Sequence, residues 1–374
     1  MKKAFQAMTL ALAAICGSAV AAQNATDMGP PPNRDLATHS AHGCLSEGFS
    51  VQAEFLWWRA HIDEVEYAIK AKEPLPIFTA FPAIISGEIK EPKFNYEPGV
   101  RVAAGYDFGR DNWDLFFTWT YHYTKARDRF NPVVADPVTA PLADSMIGFV
   151  LKLDVLDDNT PNAPNFQNLV VSADGSTQWQ VRLNTLDIES GYDYFFSHRF
   201  SVRPNLGLKV AWIDMHYRVK YNTMAIVHNF ITDNLATGSG RGDSDYWSVG
   251  PRFGLDGYLH IGWGFSLYGK ISGALLYGEF DAKYRTVVDN LTDPTQDQDI
   301  TVRQDSSYRL RPMSQLAMGL EWGYCFSQDY FLGLYIGWET QYWWNQLEIP
   351  FFASFQPDGD LTFSGLDVGI RFDF

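Results

Sequence analysis

Asp214 and His216 stand two residues apart, the spacing that puts two side chains on one face of an extended chain. A carboxylate beside an imidazole is a pairing that proton transfer uses. His122, between Tyr121 and Tyr123, is expected at the outer end of another strand. No nucleophile motif accompanies either histidine, and a working site needs a convergent set of groups, so the chain is not expected to be an enzyme. The histidines and cysteines show no metal-binding spacing. The glycine-rich runs lack the following helix of a nucleotide-binding loop. No metal or cofactor is expected. Other charged residues point elsewhere. Arg101, Asp107, Asp187, Glu189, Lys209, Arg252, Lys270, Glu321, Glu339 and Arg371 occupy the polar phase of alternating runs. They would line the interior if those runs closed into a barrel. Their mixed signs suggest ion pairs across a lumen whose charge and width set selectivity for small solutes. In a narrow barrel the same pairs would fill the interior instead. Arg241-Gly242-Asp243 has the composition of an adhesive tripeptide and is expected in an external loop, but Gly-Asp is also ordinary turn chemistry.

Strands must position these residues. Thr362 to Phe374 reads TFSGLDVGIRFDF, with Leu366, Val368, Ile370, Phe372 and Phe374 on alternate positions. A period of two belongs to a strand with one apolar and one polar face. An aromatic last residue, with Phe372 and Ile370 on its face, resembles the assembly signal that outer-membrane barrels present to their assembly machinery. The pattern recurs in Phe49 to Trp57, Val100 to Phe108, Trp113 to Tyr123, Leu186 to Phe196, Phe200 to Trp212, Trp247 to Leu259, Trp263 to Ile271, Leu316 to Trp322 and Leu332 to Tyr342. Turn residues separate several pairs, as in hairpins. The expected fold is all-β: a transmembrane antiparallel up-and-down β-barrel of about ten strands. Weak alternation in Met146 to Asp154 and Asn165 to Ser172 would raise the count to twelve. Short turns are expected near 109–112, 197–199, 261–262 and 325–329, and long loops near 60–97, 126–178, 222–244, 285–306 and 346–361. Short periplasmic turns opposite long extracellular loops are usual in such barrels. Pairing of the first and last strands would remove sheet edges.

Compartment and composition agree. Lys2 and Lys3, an apolar run from Ala7 to Ile15, and small residues up to Ala22 form a secretory signal, so 1–22 is expected to be removed. Residues 23–47, with Pro30, Pro31 and Pro32 together, are expected to be a flexible periplasmic leader, and 48–374 the barrel. No later run is long and apolar enough for a membrane helix, which a barrel does not need. A chain that is 16% aromatic yet polar on average suits aromatic girdles around alternating strands. Net charge is −15, and −17 once the signal lysines leave, which argues against a nucleic-acid partner. Cys16 leaves with the signal. Cys44 precedes the first strand and Cys325 lies at a short turn, both on the oxidising periplasmic side. They could bridge each other, cross-link neighbouring proteins or stay as thiols.

Several strand segments carry a family resemblance: EFLWWRA (Glu54 to Ala60), LDIESGYDYFFS (Leu186 to Ser197), VRPNLGLKVAWI (Val202 to Ile213), SVGPRFGLD (Ser248 to Asp256), RPMSQLAMGLEW (Arg311 to Trp322), LGLYIGWETQYWWNQ (Leu332 to Gln346) and GLDVGIRFDF (Gly365 to Phe374). Together the chain resembles the major outer membrane protein-like family of Chlamydia-related and Legionella-type bacteria. The resemblance covers most of the chain after the signal, with gaps at the long loops. It implies an abundant surface barrel of the Gram-negative outer membrane, in contact with its lipid and forming pores for passive diffusion. It supplies no catalytic motif. The chlamydial side of the resemblance favours disulfide cross-links through Cys44 and Cys325, between copies or with neighbours. A plugged structural or adhesive barrel is the alternative function, and a rim hydrolase a more distant one.

Overall fold

The computed structural model describes residues 47–71, 87–108, 112–130, 146–147, 169–197, 199–228, 231–291, 294–326, 330–348 and 359–374. The signal and the leader, apart from Glu47, lie outside them. In chain order the strands are β1 (Gly48–Ile62), β2 (Ala68–Ala71), β3 (Gly87–Lys90), β4 (Tyr96–Asp107), β5 (Trp113–Phe130), β6 (Met146–Ile147), β7 (Leu169–Tyr192), β8 (Tyr194–Ser197), β9 (Phe200–His228), β10 (Ile231–Gly262), β11 (Phe265–Asn290), β12 (Gln298–Cys325), β13 (Phe331–Trp343) and β14 (Leu361–Asp373).

Ten strands form a closed antiparallel wall in the order β1-β4-β5-β7-β9-β10-β11-β12-β13-β14. β14 returns to β1 over Ser50↔Asp373 to Ile62↔Leu361, and β7 pairs with β9 over Leu169↔Val227 to Gly191↔Asn205. Closure leaves no open edge in the wall. β8 continues β7 past Asp193 and pairs with β9. Of the segments that would raise the count to twelve, Met146–Ile147 is the short β6, which pairs with β2 and β7, and residues 169–172 are the start of β7, while 148–154 and 165–168 lie outside the described residues.

Two expected loops are strands. Residues 222–228 and 231–244 continue the β9–β10 hairpin, and 285–290 and 298–306 extend β11 and β12. Arg241-Gly242-Asp243 therefore sits in a ladder between Arg218-Tyr217-His216 of β9 and Arg285-Tyr284-Lys283 of β11. The apolar-out pattern stops there because the outer face has left the lipid, while backbone pairing continues. The third short turn is Trp263-Gly264 rather than Ile261-Gly262. Gly264 takes a φ of 83°, a left-handed conformation that costs a glycine little, and Trp263 projects 97% exposed at the barrel end.

The alternation changes phase along each long strand. On β9 the outward side chains run Leu206, Leu208, Val210 and Trp212, then Asp214, His216, Arg218 and Lys220. The inward ones run Arg203, Asn205 and Lys209, then Ala211, Ile213, Met215, Tyr217, Val219 and Tyr221, all buried. β1 repeats this: Phe55 and Trp57 give way to Arg59 and His61 outside, while Gln52 and Glu54 give way to Leu56, Trp58, Ala60 and Ile62 inside. The lower part of the wall is thus apolar outside and polar inside, as lipid requires. The upper part is polar outside and apolar inside, like a water-soluble barrel. Exposed Trp57, Trp119, Trp212, Trp247, Tyr277 and Trp338 mark the outer boundary, and Phe49, Phe108, Trp113, Phe196, Phe372 and Phe374 the periplasmic one. Aromatic rings with one polar edge settle at such interfaces.

Candidate functional site

The interior at lipid depth is an ion-paired chamber. Arg203 on β9 binds Asp114 on β5 through two hydrogen bonds of 2.5 Å, and also reaches Glu189 at 3.0 Å and Asp256 at 2.9 Å. Arg252 on β10 donates to Glu189 and, at 3.1 Å, to Asn205. Lys209 donates to both oxygens of Asp187 at 2.8 and 2.9 Å. On the facing arc Arg101 on β4 makes a two-bond contact with Glu339 on β13, 2.8 and 2.9 Å, with a third bond to Glu54 at 2.7 Å. Glu339 further accepts from Gln315 at 2.9 Å and Gln341 at 2.8 Å. All but the Gln341 bond, which stays within β13, cross between strands, at distances where the low interior dielectric strengthens them, and an unpaired charge in the same place would be expensive.

The ten charged residues expected inside all point inward. Arg101, Asp187, Glu189, Arg252, Lys270, Glu321, Glu339 and Arg371 border one central cavity of about 130 Å³. Lys209 is sealed behind Asp187, and Asp107 lies at the periplasmic mouth beside Ser50, Arg371 and Asp373. Sequence reasoning missed Asp114, Arg203, Asp256 and Asp367, although each sits on the polar phase of a run it had identified. Asp114 and Arg203 anchor one network, and Asp367 accepts from the Trp58 indole at 2.7 Å.

Above the chamber the described residues pack apolar side chains into the interior. Leu56, Trp58, Leu183, Ile213, Met215, Leu276, Phe280, Trp343, Leu361 and Phe363 belong to one buried cluster drawn from nearly every wall strand. The Lys209 ammonium lies 5.9 Å from the Trp343 ring, joining strands four ladder steps apart at the base of this plug. Phe280 stacks on Tyr246 at 4.2 Å. Missing this plug has a plain cause: Leu56 reads as a member of the polar phase because its neighbours Gln52 and Glu54 are polar.

The two histidines are not brought together. His122 is fully buried among Trp58 and Phe363, with Nε2 3.1 Å from the Glu97 carbonyl. It points inward and is not the exposed rim group expected from its tyrosine neighbours. His216 faces outward and its Nδ1 lies 2.9 Å from Asp243, not Asp214. Asp214 instead faces Arg182 at 3.5 Å. Among the described residues no three His, Cys, Asp or Glu side chains converge as metal ligands. Cys325, exposed at the end of β12, is disulfide-bonded. Cys44 lies outside the described residues.

A lipid-facing belt between two aromatic rings, a closed ladder and a polar interior at membrane depth define an outer-membrane β-barrel. The family model described as the Legionella pneumophila major outer membrane protein precursor matches residues 41–374. The chain belongs to that family and resides in the bacterial outer membrane. No curated protein sequence matches it significantly. Similar solved structures include the outer membrane protease OmpT from Escherichia coli, 9% identical over 87% of this chain and 97% of that one with a TM-score of 0.39. The attachment invasion locus protein Ail of Yersinia pestis is 12% identical over 87% and 98%, with a TM-score of 0.22. The toluene transporter TodX of P. putida is 7% identical over 87% and 89%, with a TM-score of 0.26. Likenesses this distant carry no activity across to this chain.

Proposed function

We propose that the protein is a non-enzymatic surface barrel of the envelope whose interior is closed to passive diffusion at rest. The observation that supports this reading is the buried apolar plug above the chamber, with Trp58, Leu183, Ile213, Leu276 and Trp343 at 0% exposure. Water and small polar solutes have no hydrogen-bonding path through packed Trp, Leu and Phe side chains. The closed seam at the C-terminus supports engagement of the assembly machinery through the last strand. There Phe374 exchanges backbone bonds of 2.7 and 2.9 Å with Phe49. Lipid is the partner of the apolar belt.

A diffusion pore is the second reading, favoured by the charged chamber and its cavity of about 130 Å³. Passage would require the plug to move. Swelling of liposomes carrying the folded protein separates the two. The wild type is expected to admit no small sugar, and the triple variant Trp58→Ala, Trp343→Ala, Phe363→Ala to swell. Swelling by the wild type would make the pore the leading function.

A further inference from the structure

The outward face of the upper wall carries a row of arginines in register. Across the ladders Arg127 on β5 pairs with Gln178 on β7, Gln178 with Arg218 on β9, Arg218 with Arg241 on β10, and Arg241 with Arg285 on β11. Directly opposed residues on one face have Cβ atoms roughly 5 Å apart, and like charges so placed destabilise a sheet. Two consecutive Arg–Arg pairs are therefore a cost the fold carries without a structural gain. Arg129 and Lys220 flank the row one ladder step further out. Arg285 has a partner in Asp299 at 2.6 Å and Arg241 one in Asp243 at 3.3 Å. Among the described residues no carboxylate stands within ion-pair distance of Arg127, Arg218 or Lys220.

The row is also concave. Arg127, Arg129, Arg218, Lys220, Arg241 and Arg285 all border one open cavity of about 850 Å³. Asp128, which also borders it, accepts the Tyr67 hydroxyl at 2.8 Å. Asp243 lies one ladder step closer to the lipid and the acidic tier of Asp214, Asp245 and Asp281 two steps closer. Clustering cations on one outward face of a chain with net charge −15 sets up a local field of the opposite sign to the whole molecule.

Height and direction identify the occupant. Arg218 lies six residues above the boundary residue Trp212, which is about 20 Å along a strand and roughly 15 Å above the lipid once the strand tilt is included. The side chains face sideways over the membrane and not into the barrel. An anion reaching them must project from the outer leaflet beside the protein. Guanidinium forks match phosphate oxygens in pairs, and a phosphate bridging Arg218, Arg241 and Arg285 would turn their repulsion into binding.

We propose that this face, spanning β5, β7, β9, β10 and β11, binds the phosphorylated sugar headgroup of an outer-leaflet glycolipid. The test uses the folded mature protein in detergent micelles, with purified bacterial lipopolysaccharide as probe. Retained glycolipid is read by native mass spectrometry and stabilisation by the rise in melting temperature. The wild type should bind and be stabilised. Arg218→Gln, Arg241→Gln and Arg285→Gln should each weaken binding by about ten-fold, while melting without glycolipid stays level or rises because like-charge pairs are relieved. Enzymatically dephosphorylated lipopolysaccharide should bind the wild type as weakly as intact lipopolysaccharide binds the variants. Equal binding by wild type and all three variants would overturn the site. Free sugar phosphates binding as tightly as the glycolipid would overturn the lipid as its occupant.

Discussion

Buried charge explains more of this interior than any single reactive group. Arg203 serves Asp114, Glu189 and Asp256 together, so Arg203→Ala would remove one shared cation from three carboxylates, with Arg252 still beside Glu189. Removing one partner of a buried ion pair costs about 3–5 kcal/mol, and urea unfolding in micelles should show a loss of that order. Lysine should rescue little, because one ammonium cannot reproduce the two bonds to Asp114. A second prediction concerns Asp245, above the lipid belt. Burial first, then Asp214, Asp243 and Asp281, raise its carboxyl above the usual range. A raised pKa means that the folded protein holds the proton more tightly than the unfolded chain. Its contribution to stability is therefore full below the unfolded pKa of about 4 and is lost as pH rises through the folded value. Asp245→Asn should melt higher than wild type at neutral pH, with the gap vanishing near pH ~4. At this scale the sequence was readable where alternation alone decides a side, as for Arg101 or Glu339. It was not readable for His122, whose tyrosine neighbours suggest an exposed rim and whose actual surroundings, Trp58 and Phe363, come from other strands.

Strands read from alternation were found, in number and in order, because a half-apolar face leaves a period of two wherever lipid touches it. The same signal failed above the lipid. Residues 237–246 and 280–285 alternate too, but with polar side chains outward and Gly, Ser, Ala, Tyr and Phe inward, a pattern that reads as turn-rich loop. Backbone pairing has no signature in composition. Two measurements check the extended hairpins. Amides of Ser239 to Tyr246 should exchange slowly, as paired strand amides do; exchange at loop rates would restore the loop reading. Inversion of the faces predicts opposite outcomes at adjacent positions. Val219→Asp puts an unpaired charge into the buried cluster and should cost about 3–5 kcal/mol. Lys220→Asp, one residue on and exposed, should stay within about 0.5 kcal/mol.

Taken whole, the molecule joins two barrels that obey opposite rules. Below the Trp57, Trp212 and Trp247 boundary the solvent outside is lipid, so charge is held inside in compensated networks. Above it the solvent is water, and the same ten strands close over an apolar core. Outer-membrane location and barrel class were legible in the sequence, since the terminal strand, the aromatic content and the strand spacing all report on lipid. Whether the interior is open was not legible, because the plug is assembled from single residues of many strands, each in phase with polar neighbours. The plug also bears on stability. Trp343→Ala should cost about 3–5 kcal/mol, read as a lower unfolding midpoint, since the indole is fully buried within the apolar cluster. The most direct test of a closed interior is single-channel recording of the refolded mature protein in a planar bilayer under a salt gradient. The wild type should give no stepwise conductance, and Trp58→Ala, Trp343→Ala, Phe363→Ala should give steps. Wild-type steps whose ion selectivity changes when Arg252 or Glu321 is reversed in charge would contradict the closed barrel and establish a pore.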